Sequence, residues 1–314
     1  MVVGLDKTVR PLTQSMLSAY NWCPMKYNYQ YVIGLVPVAM HLPYLIGGAV
    51  HIGVPFLLKY KDLKHASKSA LEFTDKAKKE FEKIHIMSTD QDQDFINQQI
   101  SVSSIINNYN IFYKYRIQEI KVIFLERILQ SRLFLEPISG VFKLTGKIDA
   151  LIKFNGKMYV YELKSSKSLS YEAMMGYYAQ MMTYYILAKE RFPNIAGIYI
   201  DGIQKPQIKL GQNEQVEDYI KRLDSLYTSE KMFFHDIIVP QSKHLKQFKE
   251  LIEDTAGRIS FSEENNAFMH NRFMCRVYGQ CEYLLLCDNG ENELTMRKYR
   301  KTTSANEELE EEAV

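Results

Sequence analysis

Two carboxylates and a lysine stand close together near the middle of the chain: Asp149, Glu162 and Lys164, within TGKIDALIKFNGKMYVYELKSS, residues Thr145 to Ser166. At the centre of this stretch is Asn155-Gly156, the dipeptide best suited to a two-residue type I′ hairpin, because both central residues must accept positive φ. If Phe154 pairs with Lys157 across that turn, counting outward sets Asp149 opposite Glu162, with Cβ atoms roughly 4.5–5.5 Å apart. Like charges so placed repel, and a common use of such a pair is to hold a divalent cation between them. Side chains alternate along a strand, so Lys164 shares a face with Glu162 while Tyr161 and Leu163 point the other way.

The segments on either side read as the supports of this hairpin. Upstream, Thr13 to Leu35 predicts a helix from Ser15 that breaks near Cys23-Pro24, dense in Tyr20, Trp22, Tyr27, Tyr29 and Tyr31. Most of these rings read as packing, and one or two as candidates for stacking against bases. HLPYLIGGAVHIGVPFLLKYKDL sets Gly47-Gly48 ahead of an apolar helical turn carrying His51, with Pro55 expected to kink or interrupt the helix one turn later. Residues 62–120 read as a helical insertion whose lysine-rich stripe is a solvated face. From Lys121 the pattern turns to strand, and Glu126 on the first strand is either a further acidic group near the site or a surface carboxylate. GVFKLTGK does not match a phosphate-binding loop, because five residues separate Gly140 from Gly146-Lys147 and Ile148 replaces the Ser or Thr. After the hairpin, Ser170 predicts a helix cap, and Gln180 and Tyr184 fall four apart, one turn above each other on a single helix face. A strand, AGIYIDGIQK, follows, then helical material from about Glu214 to Arg258.

The ordered set Gly47-Gly48-Ala49-Val50-His51, Gly146-Lys147-Ile148-Asp149, Glu162-Leu163-Lys164 and Gln180 through Tyr184 resembles the PD-(D/E)XK nuclease superfamily. Within it the similarity is to the RecB-like branch, with its G-x-x-x-H helix, G-x-x-D strand, E-x-K strand and Q-x-x-x-Y helix. A subset of that branch, including AddB-type recombination nucleases and CRISPR-adaptation nucleases, has one cysteine ahead of the nuclease core and three after it. Cys23 matches the leading position, and Cys275, Cys281 and Cys287 the trailing three. In that subset the four hold a [4Fe–4S] cluster that clamps the ends of the domain together. On ligand softness alone, four thiolates suit iron–sulfur or zinc equally.

The resemblance implies metal-dependent hydrolysis of DNA. A phosphodiester resists attack, and a bound Mg²⁺ or Mn²⁺ both neutralises developing charge and supplies a nucleophile near neutral pH. Carried over residue by residue, Asp149 and Glu162 are the anchoring ligands, the Leu163 backbone carbonyl adds another, and His51 is an imidazole ligand that shifts preference toward Mn²⁺. Lys164 orients the attacking water and stabilises transition-state charge, while Gln180 and Tyr184 bind substrate. The implied activity is exonucleolytic, on single-stranded DNA or duplex ends, in recombination, repair or replication. No helicase motor is present, so duplex opening would need a partner. The rival readings are an accessory nuclease docked to a helicase, annealing protein or integrase, and a non-catalytic nucleic-acid-binding scaffold.

The expected fold is α/β: a restriction-endonuclease-like mixed central sheet flanked by helices, forming one domain over 1–303, with the helical insertion and a C-terminal cysteine clamp. An acidic tail, 304–314, is expected to be disordered. The chain has 314 residues and a net charge of +2, and the five glutamates of ANEELEEEAV leave the body at about +7, a mild bias toward a polyanion. With no apolar run of signal-peptide or membrane-span length, the expectation is a cytoplasmic protein without a membrane partner.

Overall fold

A computed structural model describes residues 10–38, 42–83, 87–131, 142–277 and 279–302, together with Asn306 and Leu309. In chain order the elements are β1 (Arg10–Leu12), α1 (Gln14–Trp22), α2 (Pro24–Tyr27), β2 (Leu35–Pro37), α3 (Leu42–Tyr60), α4 (Leu63–Glu82), α5 (Thr89–Phe112) and α6 (Lys114–Glu119). Then come β3 (Lys121–Gln130), β4 (Phe142–Phe154), β5 (Lys157–Ser166), α7 (Tyr171–Met175), α8 (Tyr178–Arg191), β6 (Ile195–Gln204), α9 (Val216–Leu226) and β7 (Phe233–Ile238). The chain continues through α10 (Ser242–Glu264), α11 (Leu284–Asn289), α12 (Glu293–Met296) and β8 (Tyr299–Lys301). Of the acidic tail, most lies outside the described residues; Leu309 is buried.

A mixed sheet runs β1-β4-β5-β6-β7 with β3 on the other side of β4, parallel between β1 and β4 and between β5 and β6 and antiparallel elsewhere. The two parallel steps follow from long crossovers, and the β5–α7–α8–β6 connection is a strand–helix–strand unit. Each face of the sheet carries its own core. On one, Val160, Ile198 and Ile200 meet α1, α8 and α10; on the other, Tyr161, Leu163 and Ile203 meet α3, α4 and α5. This three-layer arrangement is the α/β sandwich expected, and it lets consecutive residues of β5 serve opposite layers.

Three departures have physical causes. Pro55 lies inside α3, which continues through it to Tyr60. The helix is wedged between α4, α5 and the sheet, and that packing outweighs one missing hydrogen bond. The stretch read as helix from about Glu214 to Arg258 contains an edge strand, because FFHDII is too short an apolar run for periodicity to separate strand from helix. The three-residue strands β1, β2 and β8 carry no periodic signal at all, and tertiary pairing creates them.

Candidate active site

The hairpin forms as its turn residues dictate: Asn155 and Gly156 have φ of 47° and 76°, and Phe154 pairs with Lys157. The register continues outward as far as Ala150 with Tyr161 and then stops. Asp149 is therefore not a ladder partner of Glu162; its Oδ2 instead accepts the Leu163 N–H at 2.9 Å. On the other edge of β4, pairing passes from Leu125–Ala150 to Arg127–Ile148, omitting Glu126, whose φ is 32°. The sheet is thus irregular around Asp149 on both sides, a common way to re-aim a functional side chain.

Glu162 and Lys164 point from β5 toward α8, as alternation requires. Glu162 is 1% exposed, with Oε1 2.6 Å from Lys164 Nζ, and neither of its oxygens accepts a well-formed hydrogen bond among the described residues. Lys164 Nζ also donates to Gln180 Oε1 at 2.9 Å, and Gln180 Nε2 donates to the Tyr184 hydroxyl at 2.8 Å. The i, i+4 spacing on α8 makes this relay possible. The Lys164 ammonium lies 4.8 Å from the Tyr177 ring centroid. From the opposite layer α3 delivers His51, whose Nδ1 lies 3.6 Å from Asp149 Oδ2.

Two glycines allow these approaches. A Cβ on Gly146 would come within 2.9 Å of Tyr184 Cε1 and 3.2 Å of Leu187, so its absence lets α8 lie close on β4. A Cβ on Gly48 would lie 2.5 Å from the Phe73 ring, so α3 can close on α4 only with glycine there.

The electrostatics separate the two carboxylates. Burial pushes the Glu162 carboxyl up and Asp149 adds to that, partly countered by Lys164, leaving it at about 7. Burial acts the same way on Asp149, but His51, Lys164 and the Leu163 N–H outweigh it and hold its carboxyl below the ordinary carboxylate value. Burial opposes the charge on Lys164, yet Glu162 and Asp149 prevail and keep it a cation. A buried carboxylate with under-coordinated oxygens beside a second carboxylate is a donor set of the kind a hard divalent cation takes. Among the described residues, no three His, Cys, Asp or Glu side chains already surround one point at ligand distance. Glu162, Asp149 and His51 would hold a cation only after turning from their present partners.

This arrangement sets a pH dependence. Because folding raises the Glu162 value from 4.5 to about 7, the group favours the fold below 4.5, and that contribution is lost as pH rises toward about 7. Because a divalent cation takes a carboxylate only in its charged form, Mn²⁺ held at Glu162 would raise the thermal midpoint at about pH 8 and have little effect at about pH 5.5. Thermal melts with and without Mn²⁺ check this, and an equal shift at both pH values would contradict it.

The site opens into a cleft of about 520 Å³ lined by Asp149, Gln180 and Tyr184, and also by Thr145, Lys147, Tyr177, Gln14, Ser18 and the tail residue Leu309. Sequence reasoning did not single out Thr145, Lys147 or Tyr177; their signal is spacing, four and two residues before Asp149 on its strand and one turn before Gln180. Glu126 lines the same cleft and is tied to Lys147 at 2.6 Å.

The four cysteines are free thiols, and all of them line one small cavity together with Trp22, Lys26 and Tyr283. Cys23 Sγ accepts the Asn271 N–H at 3.3 Å, and the Cys281 N–H donates to the Cys275 carbonyl at 2.8 Å. The chain ends around it are already joined: Asn271 Nδ2 donates to the Trp22 carbonyl at 2.9 Å, Tyr283 to the Leu35 carbonyl at 2.7 Å, and β2 pairs with β8. Four thiols lining one cavity have the donor chemistry of a soft-metal group, while among the described residues no three of them surround one point at ligand distance.

Residues 11–288 match the family model of the PD-(D/E)XK nuclease superfamily, and the chain belongs to that superfamily. Among solved structures, it is similar in fold to a protein from Eubacterium rectale provisionally called an exonuclease, with a TM-score of 0.52, 13% identity and 98% of each chain covered. No curated protein sequence matches the chain. Among the described residues, no helix is long and apolar enough to cross a membrane.

Proposed function

We propose that this nuclease is a divalent-metal-dependent deoxyribonuclease that degrades single-stranded DNA or DNA from its ends. The observation that carries this reading is Glu162, a fully buried carboxylate whose one close partner is the Lys164 ammonium at 2.6 Å and which stands beside a second carboxylate, Asp149. Mg²⁺ or Mn²⁺ held by Asp149 and Glu162, with the Leu163 carbonyl and His51 as further ligands, would supply Lewis acidity and activate water. The chain's own contribution is orientation and charge. Lys164, fixed between Glu162 and Gln180, places a permanent cation where negative charge develops on the scissile phosphate. Gln180 and Tyr184, joined to each other, present amide and phenol groups to the substrate. The Eubacterium rectale neighbour's name favours exonuclease over endonuclease action. A linear strand labelled at one end and a closed circular single strand of the same sequence separate the two: the linear strand alone is expected to be degraded, and cutting of the circle at a similar rate would refute end dependence.

We further propose that Cys23, Cys275, Cys281 and Cys287 hold a [4Fe–4S] cluster, with zinc as the alternative. The reading is supported by their shared cavity and by the tying of the chain ends around it. Cys281→Ala is expected to lower the thermal midpoint by at least about 5 °C. Anaerobically purified protein should be coloured and contain iron. Colourless protein with stoichiometric zinc would sink the cluster, and unchanged unfolding of the variant would sink the clamp. A role in recombination, repair or replication, with a helicase, annealing protein or integrase opening or presenting the DNA, fits an enzyme of this kind.

A further inference from the structure

The catalytic cleft is walled by α1 and α8. On the α3 side of Asp149 a second set of polar groups stands one step further along. Ser165 follows Leu163 on the same face of β5, and Gly47 precedes His51 by one turn of α3. The two offsets agree, at about 6 Å along the helix and about 6–7 Å along the strand. A Cβ placed on Gly47 would meet Ser165 Oγ at 3.3 Å and Lys205 Nζ at 3.4 Å, so a hydroxyl and an ammonium converge where α3 carries no side chain. Asp149, His51 and the Leu163 N–H thus form one level, and Gly47, Ser165 and Lys205 form the next.

The backbone under Lys205 is held firmly. Lys205 leaves the carboxyl end of β6, which runs parallel to β5, and its N–H donates to the Ser166 carbonyl at 2.7 Å. The Tyr227 hydroxyl donates to the preceding carbonyl, that of Gln204, at 2.8 Å. The carboxyl ends of adjacent parallel strands are where open α/β sheets take ligands. The charge here suits an anion. Lys205 is half-buried; burial pushes its ammonium below the ordinary lysine value, and Lys167, exposed just after β5, adds to that. Two cations brought together at a partly desolvated point repel, and an anion bound there relieves the repulsion. A polynucleotide carries one phosphate per nucleotide, so a strand engaged at Asp149 presents its next phosphate about one step away.

We propose that Lys205, with Ser165 and Lys167 beside it, binds the backbone phosphate next to the scissile one and so holds the strand in register with Asp149 and Glu162. This rests on the nuclease reading above and names the residues that position its substrate. The full chain is compared with Lys205→Gln and Lys205→Arg, each verified as folded, using a labelled single strand of DNA in chelator, where hydrolysis is blocked. Lys205→Gln is expected to weaken binding by about 10-fold at low salt and to flatten the log–log salt dependence by about 0.7, and Lys205→Arg to restore most of both. In metal, KM should rise for Lys205→Gln while kcat stays within about threefold. Strands carrying one neutral methylphosphonate linkage locate the contact. With that linkage beside the cut site on one side, wild type should lose about 10-fold in affinity and Lys205→Gln nothing further, as when two changes remove the same contact. An unchanged salt slope, or an equal further loss in the variant at both neighbouring linkages, overturns the assignment of Lys205 and leaves the nuclease reading standing. Wild type indifferent to both substituted linkages overturns it as well, whatever the variants do. Wild type that neither binds the strand nor cleaves it in any metal overturns the assignment together with the reading it rests on.

Discussion

Glu162→Gln is expected to lower the rate of DNA hydrolysis by about three orders of magnitude and, in the same protein, to raise the thermal midpoint measured without metal. The first effect follows from chemistry. Glutamine keeps the shape of the side chain but presents a neutral amide, which cannot anchor a hard cation or balance Lys164. The second follows from burial. Glu162 is 1% exposed, and folding disfavours its charged form enough to lift its carboxyl to about 7. Removing that charge removes the penalty, while Lys164 keeps the Asp149 carboxylate and the Gln180 amide oxygen as partners, as at functional positions where stability has been given up for activity. Thermal melts beside single-turnover rates test both halves. A variant that is inactive because it is unfolded would show a lowered midpoint and contradict the account.

The second large effect lies on the other face of the sheet and concerns stability alone. Asp201 on β6 is fully buried. It binds Arg116 Nη2 at 2.9 Å, accepts the hydroxyls of Tyr109 and Tyr161 at 2.7 and 3.0 Å, and lies 3.6 Å from His235 Nδ1. Burial would raise its carboxyl, but Arg116, His235 and Tyr109 prevail and hold it below 3.8. Arg116→Ala leaves that carboxylate buried without its cation and is expected to cost about 3–5 kcal/mol. Asp201→Asn in the same background should recover part of the loss, since the orphaned charge goes with it. Because the folded carboxyl is depressed, the wild-type contribution is present above 3.8 and is lost as pH falls through the folded value. The Arg116→Ala deficit should therefore shrink in acid. Denaturant midpoints across pH check it, and a deficit that stays constant into strong acid would contradict the pairing.

Much of the candidate site is legible in the sequence because its signals are local. Asn155-Gly156 sets the turn, alternation puts Glu162 and Lys164 on one face, and four-residue spacing stacks Tyr184 on Gln180. What failed needed knowledge of neighbours. The direct pairing of Asp149 with Glu162 assumes a regular ladder, whereas β4 leaves register at Ala150 and Asp149 turns to the Leu163 N–H. Pro55 reads as a breaker unless the packing around α3 is known. The Asp201 network draws on β6, α5, α6, β5 and β7, and no spacing in the chain announces it.

If Asp149, Glu162 and Lys164 form a metal-dependent phosphodiesterase centre, one measurement shows it most directly. Wild type and Asp149→Ala, each verified as folded, are incubated with end-labelled single- and double-stranded DNA in Mg²⁺, in Mn²⁺ and in chelator. The account predicts degradation by wild type in at least one metal, none in chelator, and loss of about three orders of magnitude in the variant. Wild-type degradation no faster than that of Asp149→Ala in every metal would contradict it.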